Sequence, residues 1–188
     1  MVHSIDLQPP PARQRRYVLT ITALLLLLIA RGDVAWSQGD CTDKDFFWSD
    51  TKPSINLQHI FCGEINSKNR AVGAHSMQVL ATSKVVASVE SPKRGADEIY
   101  DGWVKFNAPG GTIEKGSTFF PDDCSVKQVV NSIVYATEQH FERANPWGYL
   151  GPSAPDPFGV DYCLAKGEVF TIRYSILSSG LVNTAFPY

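Results

Sequence analysis

Two of the chain's four histidines, His59 and His75, flank one short segment, HIFCGEINSKNRAVGAHS at residues 59–76. Its middle, Asn-Ser-Lys-Asn at residues 66–69, is a turn signal. A chain folded back symmetrically about Ser67 would place the two histidines opposite each other, with Cβ atoms roughly 4.5–5.5 Å apart. A helix ending at His59 would still let the turn carry the chain back toward it. The spacing therefore predicts a histidine pair.

Paired imidazoles suit acid–base catalysis, because each titrates near neutral pH and can give or take a proton. In RNA cleavage by the 2′-hydroxyl, one histidine removes the 2′ proton and the other protonates the departing 5′ oxygen, each step contributing about 10²- to 10⁴-fold. A lysine would stabilise the charge that builds on phosphorus.

Two other interpretations of the histidines stay open. They equally fit a structural or metal-binding pair, for example in a metal-dependent hydrolase that uses His59, His75 and Glu64. Cys62, three residues from His59, would suggest a Cys/His nucleophile, but an even cysteine count in an exported chain favours a disulfide.

The N-terminal residues 1–37 have the pattern of a signal peptide. A basic stretch ending at Arg16 precedes an apolar run at residues 17–30, which is shorter than the roughly 20 residues of a spanning helix. Small residues at Ala35 and Ser37 predict cleavage after Ser37, with an uncleaved anchor as the alternative. The mature protein is then secreted or periplasmic, without stable membrane association.

The remaining residues, 38–188, suit one domain with a single core. They carry thirteen lysines and arginines against seventeen aspartates and glutamates, a formal net charge of −4. This balance excludes binding to nucleic acid by general phosphate neutralisation. All four cysteines lie here and predict two disulfides with three alternative pairings; none has zinc-site spacing, so no metal site is expected.

Local patterns predict an α+β domain of antiparallel strands and hairpins packed around one or two helices. Predicted helices cover residues 54–62, with Ser54 as N-cap, and residues 125–141, with a capping box at Ser125 and Gln128. Other segments are predicted as extended chain or loop: an extended stretch at 71–90 broken near 82–83, a hairpin of 98–107 and 112–120, an irregular Pro/Gly-rich loop at 143–161, and a terminal hairpin of 168–177 and 181–188.

Four motifs in a fixed order resemble the bacterial EndoU-type endoribonucleases across residues 55–187. They are HIFCGEI, VGAHS, EKGSTFFPDD followed by a helix, and a C-terminal NTAFP. The resemblance implies an EndoU-like fold with His59 and His75 as the acid and base pair and Lys115 as the catalytic lysine. Without its motif, Lys105 would be as good a candidate.

The same resemblance assigns substrate binding to the last strand. Thr184 matches the family's uridine-binding threonine, and Phe186, two residues on, stands where the family usually has tyrosine. Phenylalanine keeps a face for stacking a base but loses the hydroxyl. Independently of the resemblance, Ser117 offers a hydroxyl for a phosphate or base.

The implied function is an exported endoribonuclease that cleaves single-stranded RNA, with uridines preferred, and leaves a 2′,3′-cyclic phosphate. No metal is required, although manganese stimulates some family members. RNA is the expected partner, together with an immunity or inhibitor protein if the enzyme is a toxin. The alternative is a catalytically inactive secreted domain of the same fold that binds RNA or protein.

Overall fold

The computed structural model describes residues 39–91, 95–139 and 142–188. The predicted signal peptide and its cleavage point lie outside these residues and stay predictions. Within the described ranges, no helix has the length and apolar character needed to cross a membrane.

Nine strands form three antiparallel sheets in the described residues, with one long helix, which confirms the α+β prediction. The two-stranded sheet pairs β1 (Glu64–Ile65) with β2 (Ala71–Val72). The three-stranded sheet has the order β3 (Val86–Glu90), β4 (Tyr100–Ala108), β5 (Gly111–Phe119). The four-stranded sheet has the order β6 (Glu142–Arg143), β7 (Tyr149–Pro152), β8 (Thr171–Ile176), β9 (Val182–Pro187). The helices are α1 (Val126–Glu138), a π-helix (Gln58–Cys62) and a 3₁₀-helix (Leu80–Thr82).

The predicted central hairpin is present as β4 and β5, paired in continuous register from Tyr100↔Phe119 to Ala108↔Gly111. Alternate residues of β4 are buried, so Val104 and Phe106 face the core while Trp103 faces outward. Because β5 ends the order of its sheet and β9 ends the order of the next, both are edge strands, and Val182 at the start of β9 bridges to Ile55. The candidate site lies where these two edges come together.

The predicted long helix is also present, and its capping box is formed as expected. The Ser125 side chain accepts from the Gln128 backbone N–H, and the Gln128 side chain accepts from the Ser125 N–H. The helix packs on the four-stranded sheet so closely that a Cβ on Gly151 of β7 would lie 2.3 Å from the carbonyl oxygen of Ala136. Glycine at this position therefore lets helix and sheet share one core.

The helix predicted at residues 54–62 is wrong in its first half. Ile55 bridges to Val182 and Asn56 bridges to Trp48, so these residues are extended. The helical turn begins only afterwards, and the Asn56 side chain, rather than Ser54, accepts the His59 backbone N–H at 2.9 Å. Pairing with a distant strand outweighs the local helix preference at this point.

The loop predicted at residues 143–161 is also partly wrong, because β6 and β7 lie in it. Its glycines and prolines mark the turns on either side of short strands. Neither strand has a clear period of its own; β6 pairs with β7, and β7 pairs with β8. The stretch predicted as extended at residues 71–90 forms strand only at its two ends, in β2 and β3, and the 3₁₀-helix Leu80–Thr82 lies at the expected break.

Two disulfides select one of the three pairings that the sequence left open. Cys41 pairs with Cys62 at the end of the π-helix, and Cys124 pairs with Cys163. The first joins the N-terminal segment to the turn that carries His59; the second joins the start of α1 to the chain before β8. Disulfides of this kind are typical of proteins that fold in oxidising compartments.

Candidate active site

A groove of about 340 Å³ lies between the edge strands β5 and β9. It gathers all six residues predicted as catalytic or substrate-binding, together with five others: His59, Val72, Gly73, His75, Lys115, Gly116, Ser117, Thr118, Trp147, Thr184 and Phe186. The chain thus brings side chains from positions 59 to 186 to one surface.

The β1–β2 turn brings the two histidines together, although in a different register from the predicted one. Glu64 pairs with Val72, so the turn is centred on Lys68 rather than Ser67. Backbone contact continues beyond the strands, because the His75 N–H donates to the Ile60 carbonyl at 2.6 Å. The imidazole rings lie 6.2 Å apart between centroids. The histidines are neighbours without being directly opposed.

Gly73 makes this approach sterically feasible. Its φ of +75° is in the left-handed region, and a Cβ there would lie 1.9 Å from the His59 carbonyl oxygen. The Ala74 N–H then donates to that same oxygen at 2.9 Å. Any side chain at residue 73 would push the two histidine segments apart.

His59 is buried, at 7% exposure, and its ring is paired with a carboxylate. Nδ1 lies 2.9 Å from Glu64 Oε1, and because a carboxylate only accepts, Nδ1 carries the proton. The hydrogen bond from His59 holds the Glu64 pKa below its usual value, so Glu64 stays charged. Glu64, which was not among the predicted catalytic or substrate-binding residues, therefore orients a histidine of the groove.

His75 is equally buried, at 6% exposure, but no carboxylate faces Nδ1. This atom donates to the Thr118 carbonyl at 3.0 Å, which leaves Nε2 as the acceptor nitrogen of the neutral ring. Burial, with the nearby Lys115 charge, lowers the His75 pKa well below the usual 6.5. His75 is thus neutral at pH 7, and its Nε2 can accept a proton.

Lys115 lies beside His75 on the inward face of β5. Its Nζ donates to the Gly73 carbonyl at 2.8 Å and to Ser117 Oγ at 2.9 Å. Burial lowers the Lys115 pKa from 10.5 to about 8, so the ammonium still predominates at neutral pH. Lys105 of β4, in contrast, faces outward and pairs with Glu90. The structure therefore places Lys115 in the groove and Lys105 outside it, a distinction that sequence patterns without the motif could not make.

Ser117 is buried, and its hydroxyl contacts protein groups on several sides. Oγ donates to the Ala74 carbonyl at 2.6 Å, accepts from Lys115, and lies 3.1 Å from His75 Nδ1. These contacts place the serine between the lysine and the histidine. Its predicted contact with substrate stays a prediction, whereas its contacts with the two catalytic candidates are part of the fold.

Aromatic side chains form the β9 side of the groove. Phe186 stacks on His75 with centroids 5.0 Å apart and planes 20° apart, and Thr184 lies two residues before it on the same strand. Trp147, which sequence reasoning missed, is 43% exposed and lies 6.0 Å from Phe186. The Arg173 guanidinium packs 4.4 Å over its indole and donates to its carbonyl. An aromatic residue in the Pro/Gly-rich segment was its only sequence signal.

The two alternative chemistries gain no support from this geometry. In the described parts of the chain, no group of three or more histidine, cysteine, aspartate or glutamate side chains that could hold a metal ion is found. Cys62 is disulfide-bonded and offers no thiolate, as the even cysteine count indicated.

A comparison with protein families gives a match over most of the chain. A model of the bacterial EndoU nuclease family matches residues 54–187, a span that contains every residue of the groove. No curated protein and no solved structure matches the chain significantly. Because the family match covers well over half of the chain, the protein belongs to the bacterial EndoU nuclease family.

Proposed function

We propose that this nuclease is an exported endoribonuclease that cleaves single-stranded RNA at uridines and leaves a 2′,3′-cyclic phosphate. One observation carries the proposal: two buried histidines with different partners, one a carboxylate and one a carbonyl, share a groove with a buried lysine. This set supplies a base, an acid and a cation without a further group.

His75 is the general base in this proposal. Its Nδ1–H donates a hydrogen bond to the Thr118 carbonyl, so the Nε2 lone pair takes the proton from the RNA 2′-hydroxyl. The 2′ oxygen then bonds to the adjacent phosphorus. A low pKa keeps the ring neutral and ready at physiological pH.

His59 is the general acid. Glu64 accepts its Nδ1 proton, so in the protonated ring the Nε2–H is the proton to give. The 5′ oxygen leaves phosphorus and takes that proton. The products are a 2′,3′-cyclic phosphate on one fragment and a 5′-hydroxyl on the other, and the two histidines finish with their protonation states exchanged.

Lys115 stabilises the charge that develops on the phosphorane oxygens. An ammonium has three donors, and two of them are held by Gly73 and Ser117, which fixes the direction of the third. Thr184 has a hydroxyl that can pair with the uracil edge, and Phe186 has a ring that can stack on its face.

Further parts of the proposal concern the setting of the enzyme. Residues 1–37 direct export, and the two disulfides suit the oxidising compartment that follows. The reaction needs no metal, and manganese acts at most as a stimulating ion. A nuclease carried out of the cell as a toxin would have an immunity or inhibitor protein as its partner.

The test uses the oxidised mature protein, a short RNA with one uridine, and a matched RNA with 2′-deoxyuridine at that position. With chelator present, we expect cleavage of the first alone, with a cyclic phosphate end detected by mass spectrometry. Cleavage of both would exclude 2′-hydroxyl chemistry. Cleavage of neither by folded protein, with or without added manganese, would favour the inactive binding domain.

A further inference from the structure

A second hollow, of about 270 Å³, lies on the outward face of the β4–β5 hairpin. It is lined by Asp101, Gly102, Trp103, Gly116, Ser117 and Thr118. The last three of these also line the catalytic groove, so the two hollows meet at β5. Gly116 has no side chain to separate them.

Trp103 stands at one end of this outer hollow. It pairs with Gly116 across the hairpin, and a Cβ built on Gly116 would lie 3.8 Å from the indole ring. Covering a glycine is an ordinary structural role for a tryptophan, but it would bury more of the ring than is buried here. The side chain is 57% exposed, far more than a tryptophan that serves packing alone.

Asp101 and Thr118 stand at the other end. They are also cross-strand partners, and the Thr118 hydroxyl donates to Asp101 Oδ1 at 2.9 Å. This pair lies two residues along the strands from Trp103 and Gly116, which is roughly 7 Å. The hollow therefore combines an open aromatic face with a hydrogen-bond acceptor.

We propose that the outer hollow binds a nucleobase that flanks the cleaved uridine, with the base stacked on Trp103 and its amino group donating to Asp101. The proposal rests on the proposed ribonuclease function. A carboxylate repels phosphate and accepts from an exocyclic amine, so the base, not the backbone, belongs here. Tryptophan can stack on the face of any base. Asp101 adds a preference for adenine, cytosine or guanine over uracil, because only those three bases carry an exocyclic amine.

The experiment compares two hexanucleotides with one central uridine. In one, the flanking residues are adenosines; in the other, they are abasic ribose residues, which keep the same phosphates. For Trp103→Ala we expect kcat/KM to fall roughly 5- to 150-fold on the first RNA, the usual range for loss of one stacked base. On the abasic RNA, wild-type protein and the variant should be equal within about twofold.

Control variants separate binding from folding. Trp103→Phe keeps an aromatic cover over Gly116 and should retain most of the activity on the adenosine RNA. Phe158→Ala removes an exposed aromatic that lines neither hollow and should change neither rate. Replacing the flanking adenines by purine, which lacks the amine, should weaken the wild-type preference without removing the stacking contribution.

The outcomes also distinguish this proposal from the function on which it rests. Equal loss on both RNAs, or loss on neither, would overturn the outer site while cleavage itself stands. If the wild-type protein cleaves nothing, its affinity for the adenosine hexamer is measured by anisotropy against Trp103→Ala. Equal affinity of the two proteins for the hexamer, or no RNA binding by either, would overturn the proposal. The exposed Trp103 would then be a candidate contact for a protein partner.

Discussion

The segment that carries His59 and the strand edge that holds His75 place the same side chain in opposite electrostatic surroundings. On one side, the π-helix and the β1–β2 turn give His59 a carboxylate partner in Glu64. On the other side, β5 gives His75 a neutral carbonyl and, nearby, the Lys115 ammonium. Both rings are buried to the same extent, so burial does not distinguish them.

The difference supports the proposal that one residue type fills two roles in the reaction. Burial beside a cation favours a neutral His75 ring that can accept a proton, whereas the carboxylate beside His59 takes the Nδ1–H and leaves Nε2 as the donor atom. These different partners are the basis on which the proposed reaction assigns the base to His75 and the acid to His59. Each experiment below changes one side of this comparison.

The largest effects are expected from the histidines themselves. His59→Ala and His75→Ala should each lower kcat on RNA by about 10²- to 10⁴-fold with the fold intact. A uridine 3′-phosphate ester with a 4-nitrophenyl leaving group needs no proton on departure. On that substrate, His59→Ala should recover most of the lost rate, and His75→Ala should not. The opposite recovery would exchange the two roles, and full activity of either variant on RNA would end the proposal.

Replacement of Lys115 should have the next largest effect. Lys115→Ala should reduce kcat by about 10²- to 10³-fold, the usual result of removing one donor to a developing oxyanion, with a smaller change in KM. Lys105→Ala is the matched control, because that lysine lies in the paired strand of the same hairpin and faces outward to Glu90. We expect the control to stay within about twofold of wild type; similar losses in the two variants would argue for general charge rather than a placed cation.

The carboxylate partner should matter less than the ring that it orients. Glu64→Gln keeps the shape of the side chain and removes its charge, and should lower kcat/KM on RNA by about 10- to 100-fold. Since Glu64 acts through the acid, the loss should shrink on the 4-nitrophenyl substrate. Glu114→Gln, which changes an exposed glutamate near Lys105, serves as the control. A loss of the same size on both substrates would show that Glu64 does not act through protonation of the leaving group.

The smallest effect concerns pH. With a Lys115 pKa of about 8, the ammonium is lost as pH rises through that value, so kcat/KM should decline no later than about pH 8. Ser117→Ala removes an acceptor of the ammonium, which lowers the Lys115 pKa further and should move this decline to lower pH, with a loss of only a few fold at pH 7. Rates that keep rising to pH 9.5, or a decline that Ser117→Ala leaves in place, would count against the lysine's role.

The parts of the fold that could be predicted are those with a strong local signal. The β4–β5 hairpin has alternating burial and a glycine turn, and α1 has its capping box, so each was placed to within a few residues. Strands β6 and β7 are short and have no period of their own; β7 pairs with β8, and β6 pairs only with β7. The partner strand β8 lies about twenty residues further along the chain, so local patterns suggested a loop.

For the site, the sequence by itself determined which residues can do the chemistry. The order and spacing of His59, His75, Lys115 and Thr184 were enough to indicate the family, and with it the kind of groove. Tertiary structure alone decided what each residue touches: the Glu64 and Thr118 partners of the histidines, the burial of Lys115 against the exposure of Lys105, the disulfide pairing, and the place of Trp147. Those properties depend on groups brought together from distant parts of the chain, and proton affinity depends on such neighbours rather than on residue type.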